Sequence, residues 1–221
     1  MTNAAPLGTI NLFVPQDWFD LLEDGPNREA TRNRCTEIVR LTYPRMSQPR
    51  RNEITGALMA WYEQLLKSGL LLYGIVSSPL SQDTTETAHW QVLAGVVDVS
   101  PGLAEVDLGA LLAKTFGERQ NGATYQESFT TDMGIGFGFI SQPTVPVPGD
   151  GESYASETQI GLVGALSCPP GGDKGILVIG ISLAAEQVWQ LAGLVSAIAG
   201  RSTFNDPAAN QPTEAVKERA S

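Results

Sequence analysis

Two continuous apolar runs separated by a tight turn fill the last third of the chain and limit what it can fold into. Residues 159–167 (QIGLVGALS) and 175–183 (GILVIGISL) flank the turn-forming sequence PPGGD at 169–173. Apolar runs of this length predict buried β-strands, and two strands joined by a turn pair antiparallel. Residues 70–77 and 89–99 repeat the pattern around a longer polar loop. The sequence therefore predicts an antiparallel sheet built from hairpins.

Two helices are predicted ahead of this sheet. The first runs from the Gly25-Pro26 pair to about Tyr43, because proline suits the first position of a helix. The second covers about residues 50–68 and stops at Gly69. Its apolar positions recur at helical spacing and form one stripe, which we expect to pack on a sheet face. They are Ile54, Ala57, Leu58, Trp61, Leu65 and Leu66.

Two further helices complete the predicted order of elements. Residues 103–116 favour a third helix, and residues 184–199 favour a last helix with its own apolar stripe. Trp189 lies off that stripe, which predicts an exposed indole. Because the helices group at the start and end instead of alternating with strands, the predicted fold class is α+β. It is an antiparallel β-sheet of about five to six strands, with an N-terminal helical hairpin and a C-terminal helix packed on it.

The sequence divides into one predicted domain and two extensions. Residues 1–8 are an N-terminal extension, 9–204 a single α+β domain, and 205–221 a polar tail that we expect to be disordered. Residues 143–158 are rich in Pro, Gly, Ser and Asp, which is typical of an exposed loop. The glycines at 134, 136 and 138 suit strand positions where a helix or a ring packs closely. No helix follows them, so a phosphate-binding loop is not indicated.

Charge and composition exclude several classes of function. The chain has 24 acidic and 14 basic residues, and this net charge of −10 opposes binding to nucleic acid or anionic membranes, which are polyanions. No apolar run reaches the roughly 18 residues needed to span a bilayer, and the N-terminus lacks the pattern of a secretory signal. Two cysteines do not form a disulfide framework. We therefore expect a cytoplasmic location, with non-classical export left open.

Few residues in the sequence could carry covalent chemistry. His89 is the sole histidine, and its catalytic interpretation is a general base for Cys35, Cys168 or a serine. The alternative is an ordinary hydrogen-bonded histidine, which we favour because no nucleophile motif accompanies it. One histidine and two separated cysteines cannot supply a zinc site. We expect no catalytic residues, no metal and no cofactor, and a disulfide between the two cysteines stays open.

Arginines concentrate in the predicted helical hairpin. Residues 26–53 hold seven arginines and three glutamates, a local charge of +4, which leaves −14 for the rest of the chain. A basic surface on an acidic body indicates a docking face for an acidic partner or another copy, because arginine binds carboxylates bidentately. The alternative is a solvated surface with ion pairs inside each helix. The candidate binding residues are Arg28, Arg32, Arg50, Arg51 and Trp189, whose indole is a potential contact hot spot.

Several short stretches together resemble a known group of proteins. They are WFDL at 18–21, the Arg-rich first helix, the Arg50-Arg51 pair after a proline, KSG at 67–69, and ILVIGIS at 176–182 with the helix that follows. This pattern is similar to that of uncharacterised actinobacterial proteins with a PsbP/LpqN-like antiparallel sheet capped by helices. The resemblance covers about residues 9–204 and implies no assigned catalytic activity. Some members neighbour type VII secretion genes, which implies a binding or assembly role.

Three functions are compatible with these observations. The first is a non-enzymatic protein-interaction or assembly module that binds a protein partner, or itself, through the arginine-rich hairpin and Trp189. The second is a small apolar-ligand-binding protein, with room between sheet and helices at glycines 134, 136, 138, 161 and 164. The third is a hydrolase that uses His89 with a cysteine.

Overall fold

A computed structural model gives the structure of residues 9–14, 18–79, 87–99, 125–147, 156–170 and 172–205. Within these ranges the fold is α+β, as the sequence predicts. The helices are α1 (Arg28–Thr42), α2 (Gln48–Lys67) and α3 (Val188–Arg201). The strands are β1 (Thr9–Asn11), β2 (Phe19–Asp20), β3 (Leu70–Pro79), β4 (Thr87–Asp98), β5 (Tyr125–Thr131), β6 (Gly134–Ser141), β7 (Thr144–Val147), β8 (Ser156–Gln159), β9 (Gly161–Cys168), β10 (Lys174–Ser182) and β11 (Thr203–Asn205).

Seven of these strands form one antiparallel sheet in the order β2-β3-β4-β10-β9-β6-β5. The predicted hairpins β3–β4 and β9–β10 lie in it, and β10 joins them by pairing with β4. Outside the sheet, β1 pairs with β11 and β7 pairs with β8. The β1–β11 ribbon brings the two ends of the described chain together, and the amide of Phe13 donates a 3.0 Å hydrogen bond to the Ser202 hydroxyl.

Local signals set the ends of the first two helices. The side chain of Asn27 caps α1 by accepting a hydrogen bond from the amide of Ala30. Pro49 lies in the first turn of α2, where its missing N–H costs no helical hydrogen bond. Gly69 has a φ of +71°, the left-handed conformation that glycine adopts with little strain, so α2 stops where the sequence predicts.

The helical hairpin and α3 pack on opposite faces of the sheet. Tyr73 of β3 is opposite Leu93 of β4, and both belong to the cluster buried by α1 and α2. One position along, Val92 is opposite Gly180 of β10, and a Cβ on Gly180 would meet Val195 of α3. Because successive residues of a strand face opposite sides, the sheet separates two apolar cores.

The larger core lies between the sheet and α3. The buried residues of α3 are Val188, Leu191, Val195, Ile198 and Ala199, all from the predicted stripe. The indole N–H of Trp90 reaches a buried hydrogen bond of 3.0 Å to the side-chain oxygen of Gln187, which belongs to the short 3₁₀ turn Ala185–Gln187 before α3. This polar contact fixes the start of α3 on β4.

The structure corrects the predicted core stripe of α2. Its buried residues are Thr55, Met59, Tyr62 and Leu65, so the helix is rotated by about one residue from the predicted stripe. Tyr62 is buried because its hydroxyl donates a 2.7 Å hydrogen bond to the carbonyl oxygen of Gly25. Trp61 was predicted to be core, but its side chain is 46% exposed.

Four other predictions change or fall outside the described residues. Residues 125–140 form two strands, β5 and β6, and β2 adds another, which raises the five to six predicted strands to seven in the main sheet. Residues 143–158 were predicted to be an exposed loop, but 144–147 and 156–159 pair as a ribbon. The predicted third helix at 103–116 and most of the predicted tail lie outside the described residues, whereas Asn205 belongs to β11.

Candidate binding site

The helical hairpin is anchored to the sheet at its open end, where α1 begins and α2 ends. Met59, Tyr62 and Leu65 of α2 are buried in one cluster with Cys35 of α1 and Tyr73 of β3. Full burial of side chains of this size contributes about 1.5–3 kcal/mol each. This half of the hairpin is therefore held against β3 by a continuous apolar contact.

An apolar groove separates the hairpin from the sheet at the loop end, where residues 43–47 join the two helices. The groove has a volume of about 600 Å³. Small-molecule and side-chain pockets of proteins commonly measure about 300–1,000 Å³. Apolar and aromatic residues form most of its wall, with Thr42 and His89 as the other members. The lining residues are Trp18, Phe19, Ile38, Val39, Thr42, Tyr43, Ile54, Leu58, Ile75 and His89.

Positive charge surrounds the loop end of the hairpin. Residues 37–53 contain four arginines and two glutamates, a net charge of +2. Arg40 pairs with Glu37 and Arg50 pairs with Glu53, each across 2.5 Å. The hydrogen bond from Arg40 lowers the pKa of the Glu37 carboxyl. The two remaining arginines, at 45 and 51, make no ion pair within the described part of the chain.

Arg51 lies on the same side of α2 as two residues that line the groove. It precedes Ile54 by three residues and Leu58 by seven, so all three share one face of α2. Its Nε is buried and has no hydrogen-bond partner among the described residues. A buried donor without a partner costs about 1–3 kcal/mol.

The structure divides the predicted arginine surface between the two ends of the hairpin. Arg50 and Arg51 lie at the loop end, beside the groove. Arg28 and Arg32 lie toward the open end, about 21 and 15 Å along α1 from Thr42. Arg28 donates a 2.9 Å hydrogen bond to Glu63 and is thereby ion-paired, whereas Arg32 is exposed.

Trp189 belongs to a different surface from the arginines. It is 60% exposed on α3, as its position off the apolar stripe predicts, and its ring lies 5.6 Å from that of Tyr125. Because α3 packs on the face opposite the hairpin, the structure does not bring Trp189 together with the candidate arginines. The predicted surface is therefore two separate surfaces.

The geometry separates His89 from Cys168. Ser167 of β9 is opposite Ile176 of β10, and Ile176 is opposite Val96 of β4. Cys168 follows Ser167 on β9 and therefore lies one residue farther along the sheet than Val96, on the side away from His89. His89 precedes Val96 on β4 by seven residues, about 23 Å along the strand. These two residues therefore cannot form a nucleophile–base pair.

Both thiols are free and buried. Burial raises the pKa of the Cys35 thiol, although Arg34 opposes the shift, and burial also raises the pKa of the Cys168 thiol. A raised pKa keeps a thiol protonated and unreactive at neutral pH. The environment of each cysteine therefore opposes a nucleophilic role.

The glycines that were expected to leave room for a ligand between sheet and helices differ in what surrounds them. A Cβ on Gly164 would lie 1.9 Å from the ring of Phe139, and one on Gly136 would lie 2.7 Å from the ring of Phe129. Rings fill both positions, which agrees with the close packing predicted for Gly136, whereas Gly164 was predicted to leave room. Gly138 and Gly164 do line a smaller cavity beside α3.

Sequence reasoning missed the groove because its walls look like core. Ile54 and Leu58 lie in the predicted stripe of α2, and Ile38 and Thr42 repeat at helical spacing on α1. The available signal was that this apolar stripe continues to the loop between the two helices, where fewer residues follow that could cover it.

Comparisons with protein-family models, with curated protein sequences and with solved structures found no match to this chain. Among the described residues, no set of three or more His, Cys, Asp or Glu is arranged to hold a metal ion. No helix in the described ranges has the length and apolar character needed to cross a membrane.

Proposed function

We propose that this protein is a non-enzymatic binding module whose hairpin groove receives an apolar segment of an acidic protein partner. The observation that carries the proposal is the 600 Å³ apolar groove beside arginines that lack ion-pair partners in the described chain. Apolar anchors give an interface most of its free energy, and charge complementarity steers the encounter. The groove supplies the site for apolar anchors, and Arg45 and Arg51 supply the positive charge that steers an acidic partner.

Exposed apolar surface extends beyond the groove and favours a macromolecular partner. Leu41 is 58% exposed beside the loop end. Trp61 is 46% exposed and follows Ile54 and Leu58 by seven and three residues, so it continues their row along α2. A small molecule in the groove would leave these side chains uncovered. A protein segment lying along α2 would cover them.

An amphipathic helix with acidic residues is the segment that best fits this surface. Helices that bind grooves insert apolar residues spaced three, four and seven positions apart. Acidic residues flanking those anchors would meet the loop-end arginines, and a carboxylate could accept hydrogen bonds from the exposed guanidinium group of Arg45. The chain itself carries −14 outside residues 26–53, so a second copy is the other acidic candidate.

The groove volume also favours a second candidate, the binding of a small apolar ligand. About 600 Å³ lies inside the usual range of small-molecule sites. In that case native mass spectrometry of the purified protein would show the added mass of a bound ligand. A bulky substitution that fills the groove would remove this added mass.

The proposed setting of this activity comes from the sequence. We place the protein in the cytoplasm, and its two unpaired thiols are consistent with a reducing compartment. The resemblance to PsbP/LpqN-like actinobacterial proteins, and with it an assembly role near type VII secretion, stays a prediction.

A pair of matched variants tests the proposal. Thr42→Trp puts a large ring into the groove from an exposed position, whereas Thr36→Trp adds the same ring elsewhere on the exposed surface of α1. Circular dichroism should show both variants folded like wild type. Each is used to capture proteins from an extract of the native host, and the captured proteins are identified by mass spectrometry.

The expected partner is retained by Thr36→Trp, lost by Thr42→Trp, and released by an acidic amphipathic peptide derived from its own sequence. Loss of one hot-spot contact of about 2 kcal/mol or more weakens binding roughly thirtyfold. A dimer that Thr42→Trp dissociates would identify a second copy as the occupant. Equal capture by wild type and Thr42→Trp would refute the groove as the site.

A further inference from the structure

A second cavity lies on the sheet face opposite the hairpin, between α3 and the β5–β6 edge. Its volume is about 270 Å³, below the usual range of about 300–1,000 Å³ for drug-sized ligands. Its walls combine aromatic rings, one carboxylate and several residues with little or no side chain. Its lining residues include Tyr125, Glu127, Gly138, Trp189 and Gly193.

Two exposed aromatic rings form one wall of this cavity. The ring centroids of Tyr125 and Trp189 are 5.6 Å apart and their planes are inclined by 60°. The two residues are 47% and 60% exposed, so the fold does not bury them in its core. The face of an aromatic ring carries negative electrostatic potential and attracts cations, tryptophan most strongly.

A carboxylate accompanies the rings. Glu127 lies two residues after Tyr125 on β5, so both face the same side of the strand. The Tyr125 hydroxyl donates a 3.3 Å hydrogen bond to the Glu127 carboxylate. No described cation forms an ion pair with Glu127, which leaves its charge available to a ligand. The net charge of −10 further concentrates cations at the surface.

Gly193 keeps space open on the helical wall of the cavity. Glycine in the interior of a helix costs about 1 kcal/mol relative to alanine. A Cβ on Gly193 would meet nothing within 4 Å, so no packing contact requires glycine there. The missing side chain therefore leaves space in the cavity that Gly193 lines.

From this arrangement we propose that the cavity binds a small organic ammonium cation, held against the wall formed by the Tyr125 and Trp189 rings and neutralised by Glu127. Aromatic walls select a weakly hydrated alkylammonium over an alkali ion, because rings contact methyl groups as well as charge. The small volume limits the ligand to about the size of choline. The site is independent of the hairpin groove, because the sheet lies between them.

The test is a titration of the full chain with choline at constant ionic strength, followed by the NMR signals of the Trp189 indole and the Gly193 amide. Saturable binding with a dissociation constant in the millimolar range is expected. The uncharged analogue 3,3-dimethyl-1-butanol, which has the same shape, and potassium ions should leave these signals unchanged. Equal binding of the uncharged analogue, or shifts that never saturate, would overturn the proposal.

Variants assign the binding to this cavity. Trp189→Ala should weaken choline binding by about threefold to thirtyfold, the loss expected for one ring–cation contact. Trp61→Ala, which removes another exposed tryptophan on the opposite face, should leave it unchanged. Gly193→Ala should raise the melting temperature and still weaken binding, an outcome that a merely structural glycine would not give. Unchanged binding by Trp189→Ala would place the cation elsewhere.

The same ammonium group occurs free and in a lipid headgroup, and sedimentation separates these sources. Co-sedimentation with phosphatidylcholine vesicles, but not with phosphatidylglycerol vesicles, would identify the headgroup as ligand. Choline binding without co-sedimentation would identify the free cation.

Discussion

The ring of Phe139 lies across Gly164, and this contact gives a quantitative prediction for the middle of the sheet. An alanine Cβ at position 164 would lie 1.9 Å from Cε1 and 2.5 Å from Cζ of Phe139, whereas carbon atoms normally approach to about 3.5–4 Å. Phe139 is 4% exposed, and its ring borders the small cavity beside α3, so movement of the ring relieves only part of this overlap. Overpacking of this kind costs about 1–3 kcal/mol.

Part of that cost is offset in the unfolded chain. Replacing glycine with alanine lowers the entropy of the unfolded state by about 0.4–1 kcal/mol at compatible positions. We therefore expect Gly164→Ala to lower the free energy of unfolding by about 1–2 kcal/mol, equivalent to roughly 2–8 °C in melting temperature for a chain of this size. Gly56→Ala is the matched control, because a Cβ there meets nothing within 4 Å and α2 should become more stable.

Urea unfolding of a double-mutant cycle measures the contact directly. In a Phe139→Leu background the ring is absent, so Gly164→Ala should cost at least about 1 kcal/mol less than in wild type. An equal cost in both backgrounds would refute the reasoning. The register that places Phe139 opposite Gly164 would then be wrong.

Three further predictions concern buried polar groups. Burial raises the pKa of the Asp20 carboxyl, so its contribution to stability is present below the ordinary carboxyl pKa and is lost as pH rises through the raised value. Asp20→Asn keeps the accepting oxygen and should gain stability relative to wild type in urea unfolding as pH rises above the ordinary carboxyl pKa; a constant difference would contradict this. Gln187→Leu leaves the buried Trp90 indole N–H without its acceptor and should cost about 1–3 kcal/mol, which unchanged urea unfolding would disprove. Cys35 and Cys168 should react with a thiol reagent only after denaturation, and fast labelling of the native protein would argue against their burial.

The secondary structure was largely predictable because its signals are local. Gly69 stops α2, and the apolar runs around the turn at 169–173 form the β9–β10 hairpin. Trp189 was predicted to be exposed because it lies off the apolar stripe of α3, and the structure confirms its exposure. Each of these depends on residues a few positions apart.

The assignment of each helix to a sheet face was not predictable. Every residue of β9 is buried, so its sequence lacks the alternation that would distinguish one face from the other. The rotation of α2 was also missed, because burial of Tyr62 depends on the distant carbonyl of Gly25. The groove depends on how the loop end of the hairpin is spaced from the sheet, which is a long-range property.

A photo-cross-linking amino acid at position 42 tests the hairpin groove most directly. With p-benzoylphenylalanine in place of Thr42, irradiation in an extract of the native host should join the protein to an acidic, amphipathic segment of one partner. The same amino acid in place of Thr36 should give little of that product, because position 36 lies outside the groove. Cross-links from position 36 but not from position 42, or none from either while Trp189→Ala abolishes partner capture, would contradict a binding site in the groove.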